Sequence, residues 1–287
     1  MYDRILVPTD GSDAAAAGAE AAVALARRFD AELSVVHVLN PNEHPPDDAD
    51  GPEDTTQWGN EAVDEVVEIA TDAGLEATGD VLEHDDSIPE TILAYAASHD
   101  VDCIVMGTTG RTGLGRYVLG SVAEQTVRAS SVPVVTVHED ITFDPEFESI
   151  LVPTDGSDHA FAAADHAVDL ATATGAGLDI LHVVDIGALP GSADPTSVLD
   201  ALQEAGERAL NDVIDLATEA DVPAVEASVM SGSPYRAIVK YAEENDIGLV
   251  VMGTHGRTGL DRYFLGSVTE RVVRRSDVPV LVVSKPD

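Results

Sequence analysis

Positive charge is scarce in this sequence. Fifteen Lys and Arg residues stand against 53 Asp and Glu, the formal net charge is −38, and Lys240 and Lys285 are the only lysines. A surface of this sign repels the phosphates of nucleic acids and of anionic membranes, so neither is an expected partner. Because the apolar fraction is an ordinary 44%, the excess of acid indicates a cytoplasm of high ionic strength, where a short Debye length screens the self-repulsion. An acidic protein of an ordinary cytoplasm is the alternative.

Cysteine, aromatic residues and long apolar runs are also few. The single cysteine, Cys103, lies in the apolar run 101–106, where we expect a buried thiol, and one cysteine cannot form an internal disulfide. Aromatic residues make up 4% of the chain, and Trp58 is assigned to packing. No apolar run approaches the roughly 18 residues that span a bilayer, and the amino terminus lacks the pattern of a signal peptide. We therefore expect a cytoplasmic protein.

The chain contains one unit twice. The run PTDGS at residues 8–12 returns at residues 153–157, an offset of 155 − 10 = 145, and a Gly-rich stretch that begins at Gly107 returns at Gly253, an offset of 253 − 107 = 146. A chain of 287 residues is long enough for two domains. We expect these domains at residues 1–139 and 148–287, with an acidic, proline-containing segment between them.

The repeated Gly-rich stretch has the spacing of a phosphate-binding loop. In the first copy Gly107 and Gly110 follow an apolar strand, nine residues intervene, and Gly120-Ser121 opens a predicted helix; the second copy repeats the pattern. Glycine lets the main chain approach a bulky anion, and the first N–H groups of a helix favour negative charge. A loop that merely turns the chain is the alternative for one Gly-x-x-Gly, but the second copy at the same interval argues against it.

Short strand-like runs alternate with helical patterns in both copies, which predicts βαβ units. Ser12 is the predicted N-cap of an Ala-rich helix, residues 40–54 are predicted to form an exposed loop, and residues 60–73 the next helix. Each copy thus predicts an α/β domain, an open five-stranded parallel sheet with helices on both faces. Ligands in such sheets bind beyond the carboxyl ends of the strands, where strand order reverses. This rule selects Asp10, Val38 and Gly107.

These motifs resemble the universal stress protein family in its tandem two-domain, ATP-binding form, over nearly the whole chain. The resemblance rests on PTDGS after the first strand, on His37-Val38 and His182-Val183 at the end of the second, on the Gly-rich stretch, and on Val-Pro-Val at the last strand. It implies a Rossmann-like fold of the adenine nucleotide alpha hydrolase type. Together with the acidic composition, it leads us to expect a haloarchaeal source.

The resemblance implies one adenine nucleotide, ATP or AMP or ADP, with Mg²⁺ in each domain. Asp10 and Asp155 would face the ribose and the metal ion, backbone groups of Val38 and Val183 would face the adenine, and the later glycines would hold the phosphates. The residues expected in domain 1 are Pro8, Thr9, Asp10, Val38, Met106, Gly107, Gly110, Arg111, Gly120, Ser121 and Val122. Those expected in domain 2 are Pro153, Thr154, Asp155, Val183, Met252, Gly253, Gly256, Arg257, Gly266, Ser267 and Val268.

Structural roles compete with ligand roles at several of these positions. Asp10 could cap the first helix or its loop. His37 and His182 alternate with apolar neighbours and are typical of core histidines, and the nine histidines show no metal-ligand spacing. Ser121 and Ser267 could be N-caps first and phosphate contacts second.

The two copies differ at the turn before the third helix. Domain 2 has Gly232 there, whereas domain 1 has Asp86 beside another carboxylate, Asp85. Because a carboxylate pair repels a triphosphate and a lost glycine restricts the turn, we expect weaker binding in domain 1.

No nucleophile-base pair, acid/base carboxylate pair or metal triad stands out, so no residue is assigned as catalytic. A binding module that senses ATP and changes its protein partners is the favoured interpretation. The alternatives are a slow ATPase that uses Asp10 or Asp155, and a partner-binding scaffold without nucleotide. The last strands, predicted at residues 133–137 and 279–283, are expected to pair the two domains, and tandem chains could pair further as a homodimer.

Overall fold

A computed structural model describes residues 1–40, 52–83, 87–110, 118–185, 195–256 and 265–285. By its internal contacts the chain divides into two compact units, Tyr2–Pro145 and Glu146–Asp287, here called domain 1 and domain 2. Four residues with expected roles, Asp85, Asp86, Arg111 and Arg257, lie outside the described residues.

Domain 1 is built on a five-stranded parallel sheet. Its strands are β1 Arg4–Pro8, β2 Glu32–Leu39, β3 Ala77–Glu83, β4 Cys103–Gly107 and β5 Val134–Val137. Their order is β3-β2-β1-β4-β5, and every neighbouring pair is parallel. Successive strands step outward from β1 to β3, and the chain then returns to the other side of β1 for β4. The strand order therefore reverses between β1 and β4, where the ligand rule places a site.

Domain 2 repeats this topology. Its strands are β6 Ser149–Pro153, β7 Gly177–Val184, β8 Val225–Ser231, β9 Leu249–Gly253 and β10 Val280–Val283. They lie in the order β8-β7-β6-β9-β10 and pair in parallel. The strands next to the reversal, β1, β4, β6 and β9, are fully buried or nearly so, as apolar strands covered on both faces should be. The predicted fold class is confirmed.

Eight helices connect the described strands. Those of domain 1 are α1 Asp13–Phe29, α2 Pro52–Asp72, α3 Ile88–Ser98 and α4 Ser121–Ala129. Those of domain 2 are α5 Asp158–Thr174, α6 Pro195–Glu219, α7 Pro234–Glu244 and α8 Ser267–Val273.

The first helix of each domain is capped at both ends, and the predicted N-cap of α1, Ser12, is confirmed. The hydroxyl oxygens of Ser12 and Ser157 each accept a hydrogen bond from the N–H three residues on, at 3.2 Å. The helices end at Asp30 and Gly175, which both adopt left-handed backbone angles. Their sheet-facing sides are mostly alanine, and this small side chain lets the helix axis lie close to the strands.

Two predicted boundaries were wrong. The helix expected at 60–73 begins at Pro52, inside the segment expected as loop. Proline suits the first turn of a helix because its missing N–H would have no partner there; residues 41–51 of that segment lie outside the described part. Gly107 and Gly253, expected just after their strands, are the last strand residues and pair with Val137 and Val283.

Candidate functional site

The loop after the first strand of each domain is held by its aspartate. Oδ1 of Asp10 accepts hydrogen bonds from the backbone N–H of Ser12 at 3.1 Å and from the Ser12 hydroxyl at 2.5 Å. In domain 2, Oδ1 of Asp155 accepts from the N–H of Ser157 at 2.9 Å. The serines rather than the aspartates cap the helices. One carboxylate oxygen of each aspartate thus shapes the loop, as the structural alternative anticipated.

The second carboxylate oxygen of each aspartate lies against the Gly-rich stretch. A Cβ atom added to Gly110 would be 2.5 Å from Oδ2 of Asp10, and one added to Gly256 would be 2.6 Å from Oδ2 of Asp155. Any side chain at these glycines would therefore displace the carboxylate. The fold brings the loop after the first strand and the glycine of the fourth-strand loop to one point at the carboxyl edge of the sheet.

The first glycine of each stretch has a packing role of its own. A Cβ on Gly107 would collide with the carbonyl oxygen of Ala14, and a Cβ on Gly253 would lie 2.6 Å from the carbonyl oxygen of His159. These carbonyls belong to the first turns of α1 and α5. Glycine is required here for the close approach of helix and strand, whether or not a ligand also lies against it.

The third glycine starts the following helix. The N–H of Gly120 donates to the carbonyl oxygen of Thr108 at 2.8 Å, and the N–H of Gly266 donates to that of Thr254 at the same distance. Gly120 is the N-cap of α4 and makes no side-chain capping bond. The alternative that Ser121 and Ser267 are N-caps was wrong, because each serine is the first residue inside its helix. In α4 the first backbone N–H groups therefore have no intrahelical acceptor.

A buried histidine lies at the end of the second strand, at the carboxyl edge of the sheet, here called the rim. Nδ1 of His37 lies 2.9 Å from the carbonyl oxygen of Thr9, and Nδ1 of His182 lies 2.8 Å from that of Thr154. Because a carbonyl only accepts, Nδ1 carries the proton in both rings. The prediction of core histidines is confirmed. This bond ties the strand end that carries Val38 or Val183 to the loop that carries the aspartate.

Sequence reasoning missed the glycine that faces each histidine. A Cβ on Gly59 would be 2.7 Å from Cδ2 of His37, and a Cβ on Gly206 would collide with the same atom of His182. The available signal was a glycine inside each of α2 and α6, where glycine costs helix stability and needs a packing reason.

The other expected residues lie at the same rim. Pro8 and Pro153 end β1 and β6, and the buried Thr9 and Thr154 accept from the N–H two residues on at 3.2 Å. Met106 and Met252 are 5% exposed, so their side chains belong to the core. Val122 and Val268 lie in the first turns of α4 and α8.

Domain 2 has a pair of histidines near the rim, at positions that are Ala14 and Thr109 in domain 1. The rings of His159 and His255 have centroids 5.2 Å apart, and Nδ1 of His255 lies 3.0 Å from Oγ1 of Thr254. Burial is the main cause that lowers the pKa of His159, and the neighbouring His255 and Lys285 lower it further. His159 is therefore expected to be neutral at neutral pH.

Among the described residues, no group of three or more His, Cys, Asp or Glu side chains could hold a metal ion. Each rim carries one aspartate, and Mg²⁺ commonly takes one or two protein carboxylates and completes its shell with water and phosphate oxygens. The residues present therefore fit Mg²⁺ together with a phosphate ligand and not as an isolated site. Within the same described ranges, no helix is long and apolar enough to span a bilayer.

Two parallel-sheet domains, each with a glycine-lined rim where strand order reverses, define a tandem α/β protein of the Rossmann-like class. The model of the universal stress protein family matches residues 1–138 and 146–284. The chain belongs to the universal stress protein family, with two such domains in tandem.

Some relatives match nearly the whole chain and others match about half of it. A universal stress protein of Mycobacterium bovis is 31% identical over 294 residues, covering 97% of this chain and 96% of the relative. One from Methanocaldococcus jannaschii is 40% identical over 143 residues, 49% of this chain and 84% of the relative. The crystal structure of a universal stress protein from Archaeoglobus fulgidus covers all of both chains with a TM-score of 0.73 and 26% identity.

Proposed function

We propose that each domain, taken as residues 1–139 and 148–287, binds one adenine nucleotide with Mg²⁺ at the rim where strand order reverses. The observation that carries this proposal is the contact of the aspartate carboxylate with the second glycine of the Gly-rich stretch, made by Asp10 with Gly110 and by Asp155 with Gly256. It joins a polar group suited to a ribose or a metal ion to a backbone suited to phosphate. Both copies make the contact, which a chance turn would not.

The phosphates would lie along the backbone from Gly110 to the start of α4. Ser121 and Val122 offer N–H groups there, Gly120 lets the main chain approach the phosphates closely, and the dipole of α4 adds favourable potential. Gly256, Gly266, Ser267 and Val268 offer the same backbone positions in domain 2. Arg111 and Arg257, which follow the second glycine in sequence, would supply guanidinium groups to phosphate oxygens.

The adenine and ribose would lie on the opposite side of the aspartate. Backbone groups of Val38 or Val183 would hydrogen-bond the base, next to the Pro-Thr pair that ends the first strand. The bond from His37 or His182 to the threonine carbonyl keeps these two backbone segments together. The base would therefore meet a preformed edge, which lowers the entropy lost on binding.

A bound Mg²⁺ would offset the charge of the phosphates in a chain of net charge −38. Asp10 or Asp155 would hold it jointly with phosphate oxygens. The charge of the chain also supports a role in a saline cytoplasm, where screening weakens repulsion between protein and ligand.

Domain 2 would bind the nucleotide more tightly than domain 1. Gly232 has a φ of +142°, a backbone conformation that L side chains rarely adopt, and its N–H donates to the carbonyl of Val184 at 3.0 Å. A residue with a side chain at the position equivalent in sequence, which is Asp86, would be strained in that conformation. Its carboxylate would also repel the phosphates.

The role would be regulatory binding in a stress response rather than turnover. A change of protein partners on nucleotide binding would transmit the signal. A slow ATPase is distinguished by measuring Mg²⁺-dependent phosphate release from the wild type and from Asp155→Asn.

The direct test is to precipitate freshly purified protein with acid and identify any nucleotide released, and then to titrate emptied protein with ATP and Mg²⁺ by calorimetry in molar salt. We expect an adenine nucleotide in the supernatant or two binding events in the titration. A protein that releases none and ignores added ATP would falsify the proposal.

A further inference from the structure

Domain 2 has a cavity beside the loop that carries Asp155. Its volume is about 380 Å³ and it is open to solvent on one side. The cavity lies between this loop and the middle of α6, at residues 205–212. The residues that line it are Gly156, Ala205, Arg208, Ala209, Asn211 and Asp212.

In domain 1 an indole ring lies at the equivalent place. The glycines that face the rim histidines, Gly59 and Gly206, align α2 with α6 at an offset of 206 − 59 = 147. Ala205 is then the counterpart of Trp58. The Trp58 ring packs against His37 with centroids 4.9 Å apart, and its Cζ2 atom would be only 2.9 Å from a Cβ on Gly11. Trp58 therefore lies against the aspartate loop of domain 1, where domain 2 has open space.

The charge of the lining also differs between the two copies. At the same offset Arg208 replaces Glu61, Asn211 replaces Asp64, and Asp212 corresponds to Glu65. Domain 1 thus presents three carboxylates on this helix face, whereas domain 2 presents one guanidinium, one amide and one carboxylate. In a chain with only 15 Lys and Arg residues, an arginine in a cavity wall favours an anionic occupant.

The position of the cavity relates it to one end of the proposed nucleotide. Gly156 directly follows Asp155, the residue that would face the ribose, while the phosphates would lie along Gly256 and Gly266. With the nucleotide placed in this way, the cavity would adjoin its ribose end, since no described residue of the Gly-rich stretch lines it.

We infer that the cavity of domain 2 is a subsite for an additional phosphate on the ribose of an adenine nucleotide, and that Arg208 binds this phosphate. Domain 1 has no such subsite, because the Trp58 ring fills the equivalent space and Glu61 would repel the phosphate. The inference rests on the proposed function, since it assumes a nucleotide at the rim. Ala205 provides the room, Arg208 the charge and Asn211 an amide donor. Domain 2 would then distinguish ligands that domain 1 does not.

The test compares adenosine 3′,5′-bisphosphate, adenosine 2′,5′-bisphosphate and AMP on full-length protein in which Gly120→Val weakens the site of domain 1. We expect at least one bisphosphate to bind roughly tenfold more tightly than AMP, the gain of one charge-assisted contact. Arg208 is exposed, and Arg208→Glu gives it the residue that domain 1 has at this position. This variant should lose the preference while AMP affinity stays the same. Ala205→Trp should do the same by filling the cavity.

The reciprocal variant, Trp58→Ala with Glu61→Arg, is measured in a Gly266→Val background and should give domain 1 the preference. If AMP binds but neither bisphosphate binds more tightly, the subsite is refuted and the proposed nucleotide site stands. The subsite is refuted in the same way if the preference survives Arg208→Glu. If none of the three ligands binds, the proposed function and the subsite fail together.

Discussion

The two domains share the same contacts at the rim and differ in the side chains around those contacts. In both domains an aspartate oxygen contacts a glycine, another glycine packs against the first turn of a helix, and a histidine ring nitrogen donates to a threonine carbonyl. Around this frame, Ala14 of domain 1 is matched by His159, and Trp58 by Ala205. Both copies keep glycine at the contact with the aspartate and under the first helix turn, where a Cβ would collide with a carboxylate or a carbonyl. The shared frame predicts two sites of one kind, and the differences predict two affinities.

The largest expected effect is a loss of stability when the glycine that packs under the first helix turn is replaced. Gly107→Val and Gly253→Val should each destabilise the protein by on the order of 3 kcal/mol or more, because the new side chain meets a helix carbonyl. Thermal unfolding without nucleotide measures this. As a control, Gly74→Ala, in open space with a φ of +84°, should cost about 1 kcal/mol. A Gly253→Val protein that melts like the wild type and only loses ligand would show that this glycine serves the ligand alone.

The second prediction concerns the contact between carboxylate and glycine. Gly256→Ala should displace Asp155 and weaken nucleotide binding in domain 2 by about 100-fold, close to 3 kcal/mol, and Gly110→Ala should do the same in domain 1 only. Calorimetric titration of both variants measures the remaining site. If either variant weakens both sites equally, or neither, the two rims are not independent sites of the proposed kind.

The third prediction is a pH dependence that comes from one histidine of domain 2. Burial lowers the pKa of His166 in α5 to about 4, and the counterpart in α1 is Ala21. The folded state keeps this ring neutral while the unfolded chain takes up a proton below about pH 6.5. Its contribution to stability is therefore present above that pH and lost as the pH falls toward 4, by about 2 kcal/mol between pH 7.5 and pH 5.

His166→Ala should remove this part of the pH dependence. Denaturant unfolding of the wild type and the variant at both pH values gives the difference directly, because the carboxylates common to both proteins cancel. Equal slopes in the two proteins would contradict the burial of His166.

The smallest expected effect concerns the metal ion. Asp155→Asn keeps the hydrogen bond to the loop N–H but removes the charge, so the gain in ATP affinity on adding Mg²⁺ should fall by about 1 kcal/mol. Asp10→Asn should act likewise on the weaker site. Titrations with Mg²⁺ and with chelator measure this gain, and an unchanged gain in both variants would remove these aspartates from the metal shell.

Much of the fold follows from the sequence because its signals are local and occur twice. The N-cap at Ser12, the buried apolar strands and the start of α4 at Ser121 all depend on residues close together in the chain, and all were predicted. The start of α2 at Pro52 was not, since proline and acidic residues also mark loops.

The part of the candidate site that sequence could not supply depends on contacts between distant elements. Gly59 has no evident role within its own helix, and its reason appears only when α2 packs against His37 at the end of β2. The match of Trp58 with Ala205 likewise needed the two helices to be aligned by their packing, because the helix offset of 147 differs from the 145 and 146 of the motifs.

One calorimetric experiment tests whether the chain carries two adenine nucleotide sites of unequal affinity. ATP with Mg²⁺ is titrated in molar salt into the wild type, Gly120→Val and Gly266→Val, after thermal unfolding has shown that both variants are folded. We expect two unequal binding events in the wild type, the tighter one alone in Gly120→Val, and the weaker one alone in Gly266→Val, with affinities roughly tenfold apart or more. Equal affinities in the two variants, or no binding in any of the three proteins, would contradict this prediction.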